Sequence, residues 1–198
     1  RMQKTDNTPL GQLRTWIGEE AGRGTSFAHG AVLSTVSTLG HSRSRMLGVS
    51  FDKQDVPKFH TTPTSRKIED IKGNNSASLT FGWHRSLRSV SLEGQLTALD
   101  EKELDADWSA LDAGFRRSYH IFGYQSGADL GNPDDLDKER EKLLSGIEAK
   151  RPGSFIGFKF ANISRIAFYA VGDGNFATSE VFEKDANCGT WRNRLVVP

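Results

Sequence analysis

The stretch Thr61-Thr62-Pro63-Thr64-Ser65-Arg66-Lys67, taken together with Ser44-Arg45-Met46-Leu47 upstream of it, decides how this chain is read. It has the form of a strand end, a polar turn, and a helix that opens on Ser65-Arg66-Lys67. Hydroxyls, free backbone N–H groups and two cations gather at one helix start. That combination suits a phosphate dianion, because a helix N-terminus and nearby cations both favour negative charge.

Working outward, Ala31 to Val36 reads as a strand, Thr38-Leu39-Gly40 as a turn, and Ser44 to Phe51 as the returning strand of a hairpin. Asp52 to Asp55 is a second turn, and Val56 to Thr61 a third strand. The helix from Ser65 to Lys72 turns Ile68 and Ile71 inward. Ser76–Trp83 and Arg88–Leu96 are two further strands, the second alternating strictly. Before all of these, Thr8-Pro9 is an N-cap and first-turn pair for a helix running to about Ala21, with Leu10, Leu13, Trp16 and Ile17 on one face. After them come an acidic-start helix from Asp100 to about Leu111 and another from Asn132 to about Lys150, with Leu136, Leu143, Leu144 and Ile147 on one side. The tail reads as strands at 155–160, 165–171, 178–183 and 192–197. Antiparallel strands with peripheral helices point to a closed, mainly β barrel rather than a parallel sheet.

Composition narrows the function classes. At 198 residues, a single domain spanning 1–198 is expected. The 26 basic and 25 acidic residues leave a net charge of +1, so no bulk attraction to nucleic acid or membrane is expected. Apolar runs are too short to span a bilayer. One cysteine, Cys188, and no signal-like N-terminus lead to the expectation of a cytoplasmic protein. The five histidines, His29, His41, His60, His84 and His120, lack metal-ligand spacing, and no metal site is expected. Gly172-Asp173-Gly174-Asn175 is a hairpin turn rather than a dinucleotide fingerprint, since no helix follows. Trp83 and Trp108 read as core residues. Asp134-Asp135-Leu136-Asp137 reads as helix-start charge.

These segments, in this order, resemble the pyridoxine/pyridoxamine 5′-phosphate oxidase family of FMN-binding split barrels, which includes the phenazine-biosynthesis oxidases. The likeness runs from Pro9 to Pro198. Arg45 with Met46 and Leu47 matches a flavin-contacting strand, and His60-Thr61 with Ser65, Arg66 and Lys67 matches the flavin-phosphate grip. Phe81-Gly82-Trp83 and Arg88-Ser89-Val90-Ser91-Leu92-Glu93-Gly94 match two central strands. Gln125-Ser126 matches a pair that reaches the flavin of a partner subunit. Trp191, Arg194, Leu195 and Pro198 match the closing motif. The resemblance implies a homodimer with FMN held by these residues.

The departures matter as much. Ser50 stands where the family carries a lysine, Ser89 where it carries a flavin-contacting glutamine, and Tyr169 where it carries a late tryptophan. The Tyr, Arg and Ser that hold the vitamin phosphate fall on Asp107, Leu111 and Phe115. A later Arg-Leu-His-Asp-Arg stretch aligns loosely with 176–180, ending on Glu180. The cofactor grip is kept and the vitamin-phosphate grip is lost, and a phosphate left unpaired there costs several kcal/mol. The resemblance therefore implies an FMN-dependent oxidase that passes a hydride from a small ring or amine substrate to flavin N5 and is reoxidised by O2. Asp107, Leu111, Phe115 and Glu180 are the candidate substrate contacts, with Tyr119 beside Leu111 and Phe115 in an apolar wall. Phenazine-type aromatisation in secondary metabolism is the favoured direction. A true pyridoxine 5′-phosphate oxidase, with Arg116 and Arg117 rebuilding the phosphate clamp, and a non-catalytic flavin or haem binder are the alternatives. No residue is singled out as a catalytic base.

Overall fold

Strictly alternating segments become strands that pair into one curled sheet in the computed structural model, which describes residues 8–141 and 149–198. The strands are β1 (Gly30–Val36), β2 (Ser42–Gly48), β3 (Ser50–Phe51), β4 (Pro57–Thr61), β5 (Ser76–Trp83), β6 (Arg88–Ala98), β7 (Ile156–Val171), β8 (Ala177–Lys184) and β9 (Trp191–Val196). The helices are α1 (Pro9–Gly22), α2 (Arg66–Gly73), α3 (Glu101–Ala110), α4 (Ala113–Phe122) and α5 (Asp134–Glu141). Strand order is β2-β1-β5-β6-β7-β4-β3, antiparallel throughout. Only Val49 separates β2 from β3, so the path returns to its starting strand and the barrel closes. Strand β7 pairs with β6 along one edge. Its other edge takes β4 in the first half and the β8–β9 hairpin in the second, which is where the barrel splits.

The two strands expected at 155–160 and 165–171 are one continuous strand. A bulge opposite Glu93 and Gln95 absorbs the irregular Asn162-Ile163-Ser164, with Asn162 at φ 48°. A Cβ on Gly94 would sit 3.1 Å from the Ile163 Cα, so the glycine permits the close strand approach there. The strand expected from Ser44 to Phe51 divides into β2 and β3. Helix α4 is an addition to the expected elements, capped by the Asp112 carboxylate on the Gly114 N–H at 2.8 Å. The helix expected to reach Lys150 is seen as α5, while Leu143, Leu144 and Ile147 lie outside the described residues.

Two apolar cores result. The barrel interior holds Leu33, Phe59, Leu79, Phe81, Val90, Leu92 and Ile166, closed at one side by Leu13 and Ile17 of α1. A smaller cluster of Leu99, Leu104, Trp108 and Phe155 lies between α3, α4 and the start of β7. Thr8 caps α1 by accepting the Gly11 N–H at 3.0 Å. Buried Glu20 ties α1 to β6, taking Arg88 Nε at 2.9 Å while the Arg88 guanidinium lies 4.4 Å over Trp16. Asp100 and Glu103 form a full capping box on α3.

Candidate functional site

Alternation in β4 sends Thr61 and Phe59 into the barrel and Lys58 and His60 to its outer side, so one strand serves two polar clusters. The first lies where β4 passes into α2. Ser65 caps α2 without using its hydroxyl on the helix. That hydroxyl instead accepts from Lys67 Nζ at 2.6 Å, and Thr61 Oγ1 accepts from the same ammonium at 2.9 Å. Thr62 Oγ1 is buried with no partner among the described residues. From β2, Arg45 donates to Thr35 Oγ1 at 2.7 Å and to the Leu33 carbonyl at 3.3 Å, and its second nitrogen lies 3.5 Å from Asp70. Asp70, buried on α2, also accepts from Thr35 at 2.7 Å and from Arg43 at 2.7 Å.

The charges here do not balance. Arg43 and Arg45 share the one carboxylate of Asp70, and among the described residues Arg66 and Lys67 face no carboxylate. Burial pushes the Lys67 ammonium below its ordinary pKa, and the charge of Arg45 adds to that. Burial also lowers Arg45; Asp70 opposes this, and Arg43 and Arg66 reinforce it. A helix start with surplus positive charge, hydroxyls already turned toward a cation, and an unpartnered buried hydroxyl fits an anion with several acceptor oxygens. The chain's residues therefore fit the phosphate of a cofactor such as FMN.

The second cluster lies on the outer side of β4. Asp107 of α3 accepts from Lys58 Nζ at 2.6 Å and lies 2.9 Å from His60 Nε2. Ser50 is the cross-strand neighbour of Lys58, so two positions singled out in the sequence, Ser50 and Asp107, meet through a lysine that was not. The His60 ring lies flat on Phe155, centroids 4.6 Å apart at 15°, and Trp108 and Tyr119 meet Phe155 edge-on at 5.1 and 4.9 Å. Burial holds His60 below its ordinary pKa against the opposing pull of Asp107, with Lys58 adding to the lowering. Burial pushes the Tyr119 hydroxyl up to about 12. Trp108 Nε1, Arg116 Nε and His120 Nε2 are buried polar atoms without partners among the described residues.

Other sequence-derived candidates are dispersed. Leu111 packs against the Trp108 cluster, whereas Phe115 is exposed and lines a depression of about 660 Å³ with Arg117, Ser118 and Phe122. These two residues do not share a wall. Tyr169 lies between Ser89 and Ser179 across β6, β7 and β8. Glu180 holds Gln12 and Asn193 on the other half of the sheet. Met46 is exposed on the outer face of β2, and Leu47 packs into the main core. Gln125 and Ser126 lie exposed in the turn after α4. Lys58, Asp70, Thr35 and Arg43 escaped the sequence reading. Asp70 carries a recoverable signal, an acid between the inward-facing Ile68 and Ile71.

Barrel and split together define a split-barrel protein, with a cation-rich helix start at the end of β4. The chain belongs to the pyridoxamine 5′-phosphate oxidase family, whose family model matches residues 28–132. It is 28% identical over 177 residues to a pyridoxine/pyridoxamine 5′-phosphate oxidase of Anaeromyxobacter dehalogenans, covering 88% of each chain. It is 22% identical over 194 residues to that of Pelagibacter ubique, covering 96% of this chain and 91% of that one. Among solved structures it resembles PhzG from Burkholderia lata in complex with tetrahydrophenazine-1-carboxylic acid, with a TM-score of 0.83, 22% identity, and 100% and 98% of the two chains covered. A pyridoxamine 5′-phosphate oxidase-related, FMN-binding protein from Nostoc punctiforme matches with a TM-score of 0.81, 15% identity, and 96% and 98% covered. No helix among the described residues is long and apolar enough to cross a membrane, and none of their His, Cys, Asp and Glu side chains form a metal-binding group.

Proposed function

We infer that this chain is an FMN-dependent oxidase acting on a small ring or amine that carries no phosphate. The observation that carries the reading is the pair Arg66 and Lys67, without a carboxylate, beside Arg45 at the start of α2. Arg45, Thr61, Ser65, Arg66 and Lys67 hold the cofactor phosphate. FMN held there would supply the two-electron oxidation, with dioxygen as the final acceptor and hydrogen peroxide as the by-product. The protein's part is to bind and orient, and to shield the reacting groups with the Trp108, Tyr119 and Phe155 cluster.

The position that matches the family's vitamin-phosphate contacts carries Asp107, and the cation beside it, Lys58, is already paired with that carboxylate. A second phosphate there finds no unpaired positive charge to hold it. A flat, weakly charged ring system suits the aromatic surroundings better, in line with the phenazine precursor bound by PhzG. The rival reading, a pyridoxine 5′-phosphate oxidase, draws on the names of the relatives and on the unpartnered Arg116 Nε. Gln125 and Ser126 are exposed, which leaves them accessible to a second copy in a homodimer.

The purified protein is expected to carry the visible absorption band of oxidised flavin and to run as twice 21.9 kDa by light scattering. Peroxide release is then compared between pyridoxine 5′-phosphate and tetrahydrophenazine-1-carboxylic acid. Turnover of the second and not the first is expected. A kcat/KM of about 10⁴ M⁻¹s⁻¹ or more with the phosphorylated vitamer refutes the substrate reading.

A further inference from the structure

We propose that His60 is the proton acceptor of the reaction, held and oriented by Asp107, so that Lys58, Asp107 and His60 form a built-in base on the outer side of β4. The proposal rests on the oxidase reading above.

The geometry fixes which nitrogen does the work. Asp107 takes the Lys58 ammonium on Oδ1 at 2.6 Å and faces His60 Nε2 with Oδ2 at 2.9 Å. A carboxylate only accepts, and Lys58 donates to its other oxygen. The proton of a neutral His60 therefore sits on Nε2, donated to Asp107, and the lone pair is on Nδ1. Among the described residues nothing hydrogen-bonds Nδ1, and it is absent from the sealed, unpartnered atoms of the interior. The His60 side chain keeps 15% of its surface exposed. An oriented lone pair at a partly open position, with the rest of the ring clamped, is the arrangement of a general base.

The surroundings serve that role. The ring is fixed in its plane by Phe155 on one side. Gly157 of β7 presents no side chain, and a Cβ there would lie 3.0 Å from His60 Cδ2. The groups near His60 that titrate or carry charge are Lys58 on its own strand and Asp107 on α3. Tyr119 and His120 of α4 lie beyond Phe155 and Trp108. Tyr119 stays protonated at neutral pH, with its hydroxyl pushed up to about 12. Burial holds His60 below its ordinary value, so the neutral, basic form dominates at pH 7. Thr61, the next residue of β4, belongs to the phosphate grip on the opposite side of the strand, and Asp107, which holds His60, is itself a candidate substrate contact.

The step balances as follows. A substrate C–H bond breaks and both its electrons leave with the hydrogen as hydride, to the flavin oxidant of the proposed function. The neighbouring N–H or C–H bond gives its proton to His60 Nδ1. The electron pair left behind becomes the new C=N or C=C bond. The imidazolium then returns its proton to water. The plain alternative is that the three side chains only clamp α3 to β4.

The test uses the FMN-loaded protein. Nitrogen NMR of labelled histidine reads the tautomer and the titration of His60. The Nε2–H form is expected at pH 7, with a midpoint below that of an ordinary histidine, and Asp107→Asn is expected to move it lower still. Flavin reduction by tetrahydrophenazine-1-carboxylic acid is then followed without oxygen. His60→Gln, compared at equal FMN content, is expected to lose about 10²–10⁴-fold in rate together with the acid limb of the pH profile. If His60→Gln fails to hold FMN, Asp107→Asn carries the same comparison. A Nδ1–H or cationic His60 at pH 7 overturns the proposal, and so does an unchanged rate in the variant. If the wild-type protein is not reduced by this compound, the substrate class of the preceding section falls, and the tautomer measurement alone decides for or against the base.

Discussion

Replacing Arg66 by Ala and Lys67 by Met separates a ligand-binding role from a structural one, because the two roles move stability and affinity in opposite directions. In the free protein, Lys67 donates only to Thr61 and Ser65 hydroxyls, and burial disfavours its charge. Arg66 is exposed and has no ion partner among the described residues. Removing both charges relieves repulsion with Arg45 and costs two hydrogen bonds to hydroxyls. The thermal midpoint is therefore expected to hold or rise slightly. With FMN the balance reverses. Each charge-assisted bond to the phosphate contributes about 1.5–3 kcal/mol, so two lost contacts come to about 3–6 kcal/mol, or about 10²–10⁴-fold in Kd. Quenching of flavin fluorescence on titration into the stripped protein measures that Kd, and thermal unfolding of the same samples measures stability. An unchanged Kd refutes the assignment of the phosphate site. A drop of about 10 °C or more in the free protein, several kcal/mol for a chain of this size, shows that the charges hold the fold instead.

Three further outcomes are expected. FMN affinity falls as pH rises through the depressed pKa of Lys67, earlier than for an ordinary lysine, because the bound dianion favours the charged amine. The effect is present in full below the free-state pKa, disappears above the bound-state one, and is absent from Lys67→Met in calorimetric titrations across pH. Glu20→Gln removes the buried carboxylate from Arg88, which keeps Glu19 at 2.7 Å, and costs about 1–3 kcal/mol, seen as a lower denaturation midpoint. Burial raises the Glu20 carboxyl, but Arg88, Ser86 and Arg23 together hold it below its ordinary pKa, so this contribution is present above the unfolded value and is lost as pH falls through the folded one. Gly157→Ala places a Cβ 2.6 Å from Leu99 Cδ1 and 3.0 Å from the Phe59 carbonyl, and the overpacking costs about 1–3 kcal/mol, with loss of the His60–Phe155 stacking in histidine chemical shifts.

The barrel was legible where local patterns act alone. The Thr8-Pro9 start of α1, the alternating Arg88–Leu96 run and the acidic start of α3 each carry a short-range signal, and each appears as expected. The helix start proposed as the phosphate site was legible for the same reason, since Ser65, Arg66 and Lys67 stand together in the sequence. The continuity of β7 was hidden because Asn162-Ile163-Ser164 breaks alternation, and only pairing with β6 across the bulge carries the strand through. Helix α4 was hidden because Gly114 stands in its first turn and no residue in it is fully buried, leaving the Asp112 cap as its one local mark. The Lys58–Asp107–His60 cluster joins residues 47 and 49 positions apart, a contact that no periodicity encodes. Its parts were visible singly, Asp107 as a departure from the family and His60 beside Thr61. Their meeting follows only from α3 folding back over β4.

The most direct test of the phosphate-binding site is calorimetry of the stripped protein with FMN and with riboflavin, which share the ring system and differ by the phosphate alone. If Arg45, Arg66 and Lys67 grip that phosphate, FMN binds at least about 100-fold more tightly, the equivalent of two charge-assisted contacts at their lower limit. Equal affinities for the two flavins contradict the account.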